Sequence, residues 1–167
     1  LRVTRQLLAW VAPRDPQAFS LGEFSCWFVE DPELGTFYGF PSLSQDSGPQ
    51  GLKLPHHHPG VLSDADMIDG PIPKSEGAKL QHFLEKYLPS AGDNIVYTKH
   101  CLYTYSPDTH FIVDHLPGCD RRVSVACGFS GHGFKFVPVI GEVLADLAMY
   151  GKTDLPIEFL RMGRFKT

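Results

Sequence analysis

Short apolar runs set off by turn residues open the chain. "RQLLAWVAP", "EFSCWFVE" and "GTFYGFPSL" are aliphatic and aromatic stretches separated by Pro, Gly and Asp at intervals of about ten residues, which predicts antiparallel strands. "LKLPHHH" predicts another strand, stopped by Pro59-Gly60, and Ser44 to Gly51 reads as a turn-rich loop. From Ser75 to Leu88 the period changes. Leu80, Phe83, Leu84, Tyr87 and Leu88 follow helical spacing, with Ser75 as N-cap and Pro89 as stop.

Beyond Asn94, "IVYTKHCLYTYS", "HFIVDHL" and "RVSVACGF" are β-branched and aromatic strand candidates. A glycine-rich loop, "GFSGHGFKF", follows them, and then "VPVIGEVLADLAMYG". Val139, Val143, Leu144, Leu147 and Ala148 would form the apolar face of that helix, and Gly151 its C-terminal stop. Strand, glycine-rich loop and helix make a βα unit. The expected class is α+β / α/β: an antiparallel sheet over residues 1–105, then a piece of a different, Rossmann-like α/β layer over 106–167. The two parts are not expected to share one sheet.

Composition narrows the partners. The chain has 167 residues and a net charge of −4, with a pI near 6.0, so no basic stripe neutralises phosphates and neither nucleic acid nor an anionic membrane is expected. No apolar run approaches the roughly 20 residues of a membrane span. The opening "LRVTRQLLAW" has neither a signal-peptide layout nor an initiator Met, which suggests a fragment. Cys26, Cys101, Cys119 and Cys127 form no C-x-x-C pair and fit neither a zinc ribbon nor a disulfide framework. Scattered thiols of this kind suggest a reducing compartment, and a cytoplasmic location is the default.

Four features carry chemistry, each with a plainer alternative. In the loop, Gly128, Gly131 and Gly133 allow positive φ or close approach to a ligand. With Lys135 and a helix start beyond it, the loop suits a group that gains negative charge; otherwise it is an ordinary βα turn. Cys101 lies beside Lys99 and His100, whose charge would activate a thiol sharing their face. Strand alternation puts Lys99, Cys101 and Tyr103 on one face and turns His100 away, so a core thiol stays open. His56, His57 and His58 invite a metal, but no further ligand stands at a usual spacing, and no metal is expected. Lys53 is a charge inside an apolar strand: an edge position, or a desolvated amine near a redox or carbonyl centre.

In their order, these stretches resemble one family. "YGFPS", "GLKLPHH", "CLYTYSPDTHFIVDHLPG" and "GFSGHGFKF" are similar to the C-terminal half of monomeric sarcosine oxidase and N-methyltryptophan oxidase, flavin-dependent amine oxidases of the D-amino-acid-oxidase-like superfamily. The resemblance runs from "RQLLAWVAP" to "GRF". It implies that 1–105 belongs to a substrate-binding domain and 106–167 to the end of an FAD-binding domain. It implies FAD attached through a thioether from Cys101 to the flavin 8α-methyl group. Phe129, Ser130, Gly131, His132, Gly133, Phe134 and Lys135 would surround the cofactor, the backbone of 131–133 by the pyrimidine edge. Lys135 would also pair with a substrate carboxylate, and Lys53 would promote reduction of O2. His57 would be the active-site histidine, and Tyr38 and Tyr103 would wall the substrate pocket. The implied reaction oxidises a small secondary amino acid with O2, giving an imine, then an aldehyde, and H2O2.

The family's opening G-x-G-x-x-G segment, which binds the ADP half of FAD, is not in this chain, nor are its early basic residues. The chain is therefore expected to lack an N-terminal FAD-binding half and to be inactive alone. The stretch from Leu43 to Gly51 looks longer than in the relatives, which would alter a lid over the pocket. Three other readings remain: a fructosyl-amino-acid oxidase, a non-catalytic binding or assembly module that kept this half of the fold, and a small histidine metal-binder.

Overall fold

The computed structural model describes residues 1–43, 48–66 and 72–165. The predicted loop at 44–51 is therefore described only from Gly48 on, and residues 44–47 of the proposed lid lie outside the described residues, as do the last two residues of the chain. Eight strands and two α-helices are present among the described residues: β1 (Arg2–Val11), β2 (Trp27–Asp31), β3 (Gly35–Gly39), β4 (Leu52–His58), β5 (Val61–Leu62), α1 (Lys74–Tyr87), β6 (Ile95–Tyr105), β7 (Ile112–His115), β8 (Ser124–Cys127) and α2 (Val137–Tyr150). The predicted strands all form; the two-residue β5, too short for any periodicity, was not anticipated. No described helix is long and apolar enough to cross a membrane.

The chain divides into two compact units, Thr4–Leu102 and Leu1–Val3 with Tyr103–Thr167. In the first, the strands run β2-β3-β4-β1-β5, with β6 also against β1. β1 and β4 are antiparallel, with Trp10 opposite Lys53 and Ala9 opposite Leu54. Alternation sorts the side chains. Leu7, Ala9 and Val11 of β1, Phe37 of β3 and Leu52 and Leu54 of β4 are buried against Leu80, Phe83 and Leu84 of α1. Phe83 stacks on Phe37 at 4.1 Å between ring centroids and on Trp27 at 5.5 Å. Flat aromatic contacts of this kind add to the burial of large apolar area. Gly39 is needed where it stands, because a Cβ there would lie 2.3 Å from the Trp27 ring.

Asp31 fastens the far end of α1. Its Oδ1 accepts from the backbone N–H of Glu33 and Leu34 at 2.8 and 2.7 Å, and its Oδ2 accepts from Lys86 Nζ at 2.6 Å and Tyr87 Oη at 2.7 Å. Lys86 first, then the Leu34 amide and Tyr87, hold the carboxyl far below the usual carboxylate range. At the helix start the expectation fails. Ser75 lies inside α1, Pro73 is the N-cap and no side chain caps it. Proline's preset φ suits the helix entry, and the Pro73 carbonyl oxygen accepts from the N–H groups of Glu76 and Gly77 at 3.0 and 3.2 Å.

The second unit pairs β7 with β8, Ile112 opposite Cys127 and Val113 opposite Ala126. Its core joins Phe111, Val113, Ile140, Val143, Leu147, Ile157 and Leu160. The buried face of α2 is thus centred on Ile140, Val143 and Leu147. It is rotated from the expected one: Val139 is exposed and so is Ala148. The C-terminal segment packs against Ile140, which the helical period alone could not reveal. Gly151 closes α2 in the left-handed region at φ 70°, as expected.

Candidate active site

On the sheet of the first unit, the face turned away from α1 carries the polar chemistry. Lys53 projects there from mid-strand. Its Nζ lies 5.3 Å from the Trp10 ring centroid and 5.4 Å from that of Phe40. Trp10, Phe40, Pro41, Leu43, Pro49, Gly51 and Lys53 enclose a cavity of about 260 Å3, in which the lysine is the one charged group among the described lining residues. Burial pulls the Lys53 amine below the ordinary lysine value, and the nearby Cys101 sulfur opposes the shift. The rings face the ammonium with their negative π-clouds, so a partly desolvated charge keeps some compensation.

Cys101 is half-buried and free of disulfide, its sulfur 3.8 Å from the Leu102 carbonyl oxygen. Further along β6, Tyr97 meets Trp10 edge-on at 5.4 Å, so Trp10 touches both Lys53 and β6. A second group stands at the β2–β3–β4 end of the same face. The His57 ring lies 5.6 Å from Tyr38 and 6.0 Å from Phe28, perpendicular or nearly so to each. Tyr38 lies directly opposite Phe28 in the register and meets Phe40 at 5.8 Å. His56 points the other way, 4.6 Å from Phe37. Burial, then the charge of Lys79, lowers its pKa to about 4. Among the described residues no three His, Cys, Asp or Glu side chains gather as a metal site.

The second unit holds the glycine-rich loop and Tyr103. Ser130 adopts φ 49° although it has a Cβ, a conformation that persists only when the surroundings enforce it. The enforcing contacts are its N–H to Thr104 O at 3.0 Å and its Oγ to Gly128 O at 3.1 Å. At Gly131, φ is 79° and a Cβ would sit 2.3 Å from the Tyr103 ring. Only glycine allows this close approach of backbone to ring. Phe129 and His132 each pack on Phe111, at 4.9 and 4.8 Å. The His132 N–H bonds to Phe129 O at 3.0 Å.

After Gly133 a 3-10 turn, Phe134–Phe136, precedes α2. The expected arrangement, with the first N–H groups of α2 aimed at the loop, is therefore modified. Phe136 N–H is spent on Gly133 O, and a proline near the start of α2 removes another donor. Lys135 stands exposed on the turn, its Nζ 5.6 Å from the Phe136 ring centroid, and Phe134 is 92% exposed.

The structure thus groups Lys53 near Cys101, His57 with Tyr38, and Tyr103 with the 129–133 backbone. Trp10, Phe40 and Phe28 join these groups without having been singled out from the sequence. Phe40 stands two residues from Tyr38, whereas Trp10 and Phe28 lie on strands that carry no chosen residue, and only the register of β1 with β4 and of β2 with β3 brings them in.

The pattern of the FAD dependent oxidoreductase family matches residues 9–147. A monomeric sarcosine oxidase from Bacillus sp. (strain NS-129) is 43% identical over 140 residues, covering 82% of this chain and 35% of that protein. An N-methyl-L-tryptophan oxidase from Salmonella enteritidis PT4 (strain P125109) is 34% identical over 163 residues, covering 96% of this chain and 42% of that protein. Among solved structures, the amino acid oxidase NikD of nikkomycin biosynthesis aligns with a TM-score of 0.72 at 24% identity, over 96% of this chain and 42% of that one. The fructosyl amine oxidoreductase Amadoriase I from Aspergillus fumigatus aligns with a TM-score of 0.72 at 23% identity, over 96% and 37%. Identities this low speak to the fold. The chain spans about two fifths of the length of the curated relatives it matches.

Proposed function

The chain belongs to the FAD-dependent oxidoreductase family, and from that premise we propose that it is the C-terminal part of a flavoprotein amine oxidase acting on a small secondary amino acid of the sarcosine or N-methyl amino acid kind. For sarcosine the overall reaction consumes O2 and one water and yields glycine, formaldehyde and H2O2. The missing N-terminal half would complete the FAD site, and the location would be cytoplasmic.

The single observation that carries the reading is the pairing of a desolvated lysine with a free, half-buried thiol on one sheet face. A sheet face built only for stability has no use for a lysine whose burial disfavours its own charge. The residues fit a flavin. Cys101 offers a sulfur with no disulfide partner, and the Ser130–Gly131 backbone is held in left-handed geometry. When bound, FAD would supply the two-electron oxidation of the C–H next to the amine, with dioxygen as the final acceptor.

The roles of the chain's own groups follow from their chemistry. Cys101 is the covalent attachment point, through its sulfur. Lys53 holds a proton at Nζ and so stabilises negative charge developing on oxygen, an effect strengthened by the apolar walls of its cavity. Lys135, exposed and cationic, takes the substrate carboxylate. A cation there also disfavours the ammonium form of the substrate, leaving the amine neutral. His57 and Tyr38 offer a hydrogen-bonding aromatic wall, and Tyr103 packs on the Gly131 backbone. Phe129, His132, Gly133 and Phe134 complete the loop by the cofactor.

The test uses the full-length enzyme that contains this segment. Yellow colour that stays with acid-precipitated protein, and is lost in Cys101→Ser, supports the tether. Flavin released equally from both proteins would refute it. Peroxide formation with sarcosine, N-methyl-L-tryptophan, pipecolate and a fructosyl amino acid decides the substrate class, the last being the competing choice.

A further inference from the structure

Lys53 is flanked on both sides by aromatic residues at its own level in the sheet. On β1 its register partner is Trp10. On the other side it pairs with Phe40, just beyond β3, through an antiparallel bridge. There each backbone N–H donates to the other's carbonyl oxygen, at 3.1 and 3.2 Å. Directly opposed residues of neighbouring strands set their side chains on one face, within reach of each other. The amine thus meets both rings inside the roughly 6 Å range of a cation–π contact. Gly39 makes the second approach possible, since a Cβ there would run into the Lys53 carbonyl oxygen. Trp10 is itself held: it is 9% exposed, and Tyr97 of β6 meets it edge-on.

We propose that Trp10 and Phe40 are positioning residues for the Lys53 ammonium, fixing where its charge stands and keeping it protonated through the oxygen half of the reaction. The inference deepens the role proposed above for Lys53 and rests on it. Charge compensation at the amine has few sources. No Asp or Glu is among the described residues that line its cavity, where β1 and the Phe40–Pro41 segment bring only aromatic and apolar side chains. The titratable side chains on that face are Cys101 and, by alternation, Lys99 and Tyr97 on β6, His57 on β4 and Tyr38 on β3. Among the described residues, the one whose charge acts on Lys53 is Cys101. Joined to the flavin as a thioether, that sulfur would carry no charge, and the two rings are what remains to offset burial. Indole is the strongest ring partner for a cation, which gives Trp10 the larger share.

The test uses the full-length enzyme that contains this segment, with two readouts. Competitive acetylation followed by mass spectrometry gives the protonation midpoint of Lys53 directly, and stopped flow separates anaerobic reduction from reoxidation by O2. Trp10→Leu keeps an apolar side chain and removes the π face. It should lower the Lys53 midpoint and slow reoxidation about 2- to 30-fold, with reduction unchanged. Trp10→Phe should restore most of both. Phe40 belongs to neither buried core and is 38% exposed, so Phe40→Leu should keep the fold and act in the same direction by a smaller factor. A Lys53 midpoint and a reoxidation rate equal to the parent's in both leucine variants would overturn the proposal. So would equal losses in the two half-reactions without rescue by Trp10→Phe, the result expected of a ring that only packs. Lys53→Met reoxidising as fast as the parent would overturn the oxygen role itself, and this proposal with it. Lys53→Met slowed beside unchanged leucine variants would overturn this proposal alone.

Discussion

At the residue scale, the role proposed for Lys53 rests on its surroundings. A lysine in mid-strand, between Trp10 and Phe40, is expected to act by charge. In the full-length enzyme Lys53→Met should slow reoxidation by O2 about 10²- to 10³-fold, with anaerobic reduction by substrate little changed; stopped-flow absorbance at the two half-reactions checks this. Burial lowers the Lys53 pKa, so charge and oxygen reactivity should fall as pH rises through a value below the ordinary ~10.4. Lys53→Arg, whose guanidinium stays protonated, should flatten that profile. The same shift has a sign for folding. Between the lowered and the ordinary value the unfolded chain binds more protons, so stability rises with pH in that window. The sequence marked Lys53 by its oddity in an apolar strand, but its aromatic cage depends on the pairing of Trp10 with Lys53, which no single strand displays.

At the scale of elements, α1 and the sheet stand or fall on a few contacts. Phe83 is fully buried against Phe37 and Trp27, and Phe83→Ala should cost about 3–5 kcal/mol, read from the urea midpoint of the isolated chain. His56 supplies a pH dependence in β4. Its pKa falls from 6.5 to about 4 on folding, so the unfolded chain binds more protons between those values. Stability should decline as pH drops from about 6.5 toward 4, and His56→Phe should weaken that decline. The Asp31 clamp has the opposite group and the same direction: its stabilisation is present above the ordinary carboxylate pKa and is lost only in strong acid. Element existence was legible because the periods of two and 3.6 are local. The α1 cap was misjudged because Pro73, not Ser75, stands at the helix entry, and the buried face of α2 was not legible because the segment at Ile157–Leu160 selects it by packing on it.

For the whole molecule, the prediction concerns completeness. The purified chain, without the rest of an enzyme, should bind no FAD and form no peroxide; acid precipitation after reconstitution with FAD, read by absorbance near the flavin bands, checks it. Flavin retained by the chain alone would show that the ADP half of the site is not needed. The family was legible in the order of "GLKLPHH", Cys101 and "GFSGHGFKF", because chemistry-bearing residues in a strand and in a strained loop are costly to place at random.

The sequence by itself determined the strands other than β5, the two helices and the family, since each rests on local period or on the order of rare residue types. Tertiary structure alone decided which of these residues meet. Antiparallel register put Trp10 against Lys53 and Phe28 against Tyr38, and only glycine's bare backbone let Gly131 press on the Tyr103 ring. It also left a largely apolar hollow beside α2, with His110 and His132 in its wall, because helix faces are chosen by the neighbour that packs on them.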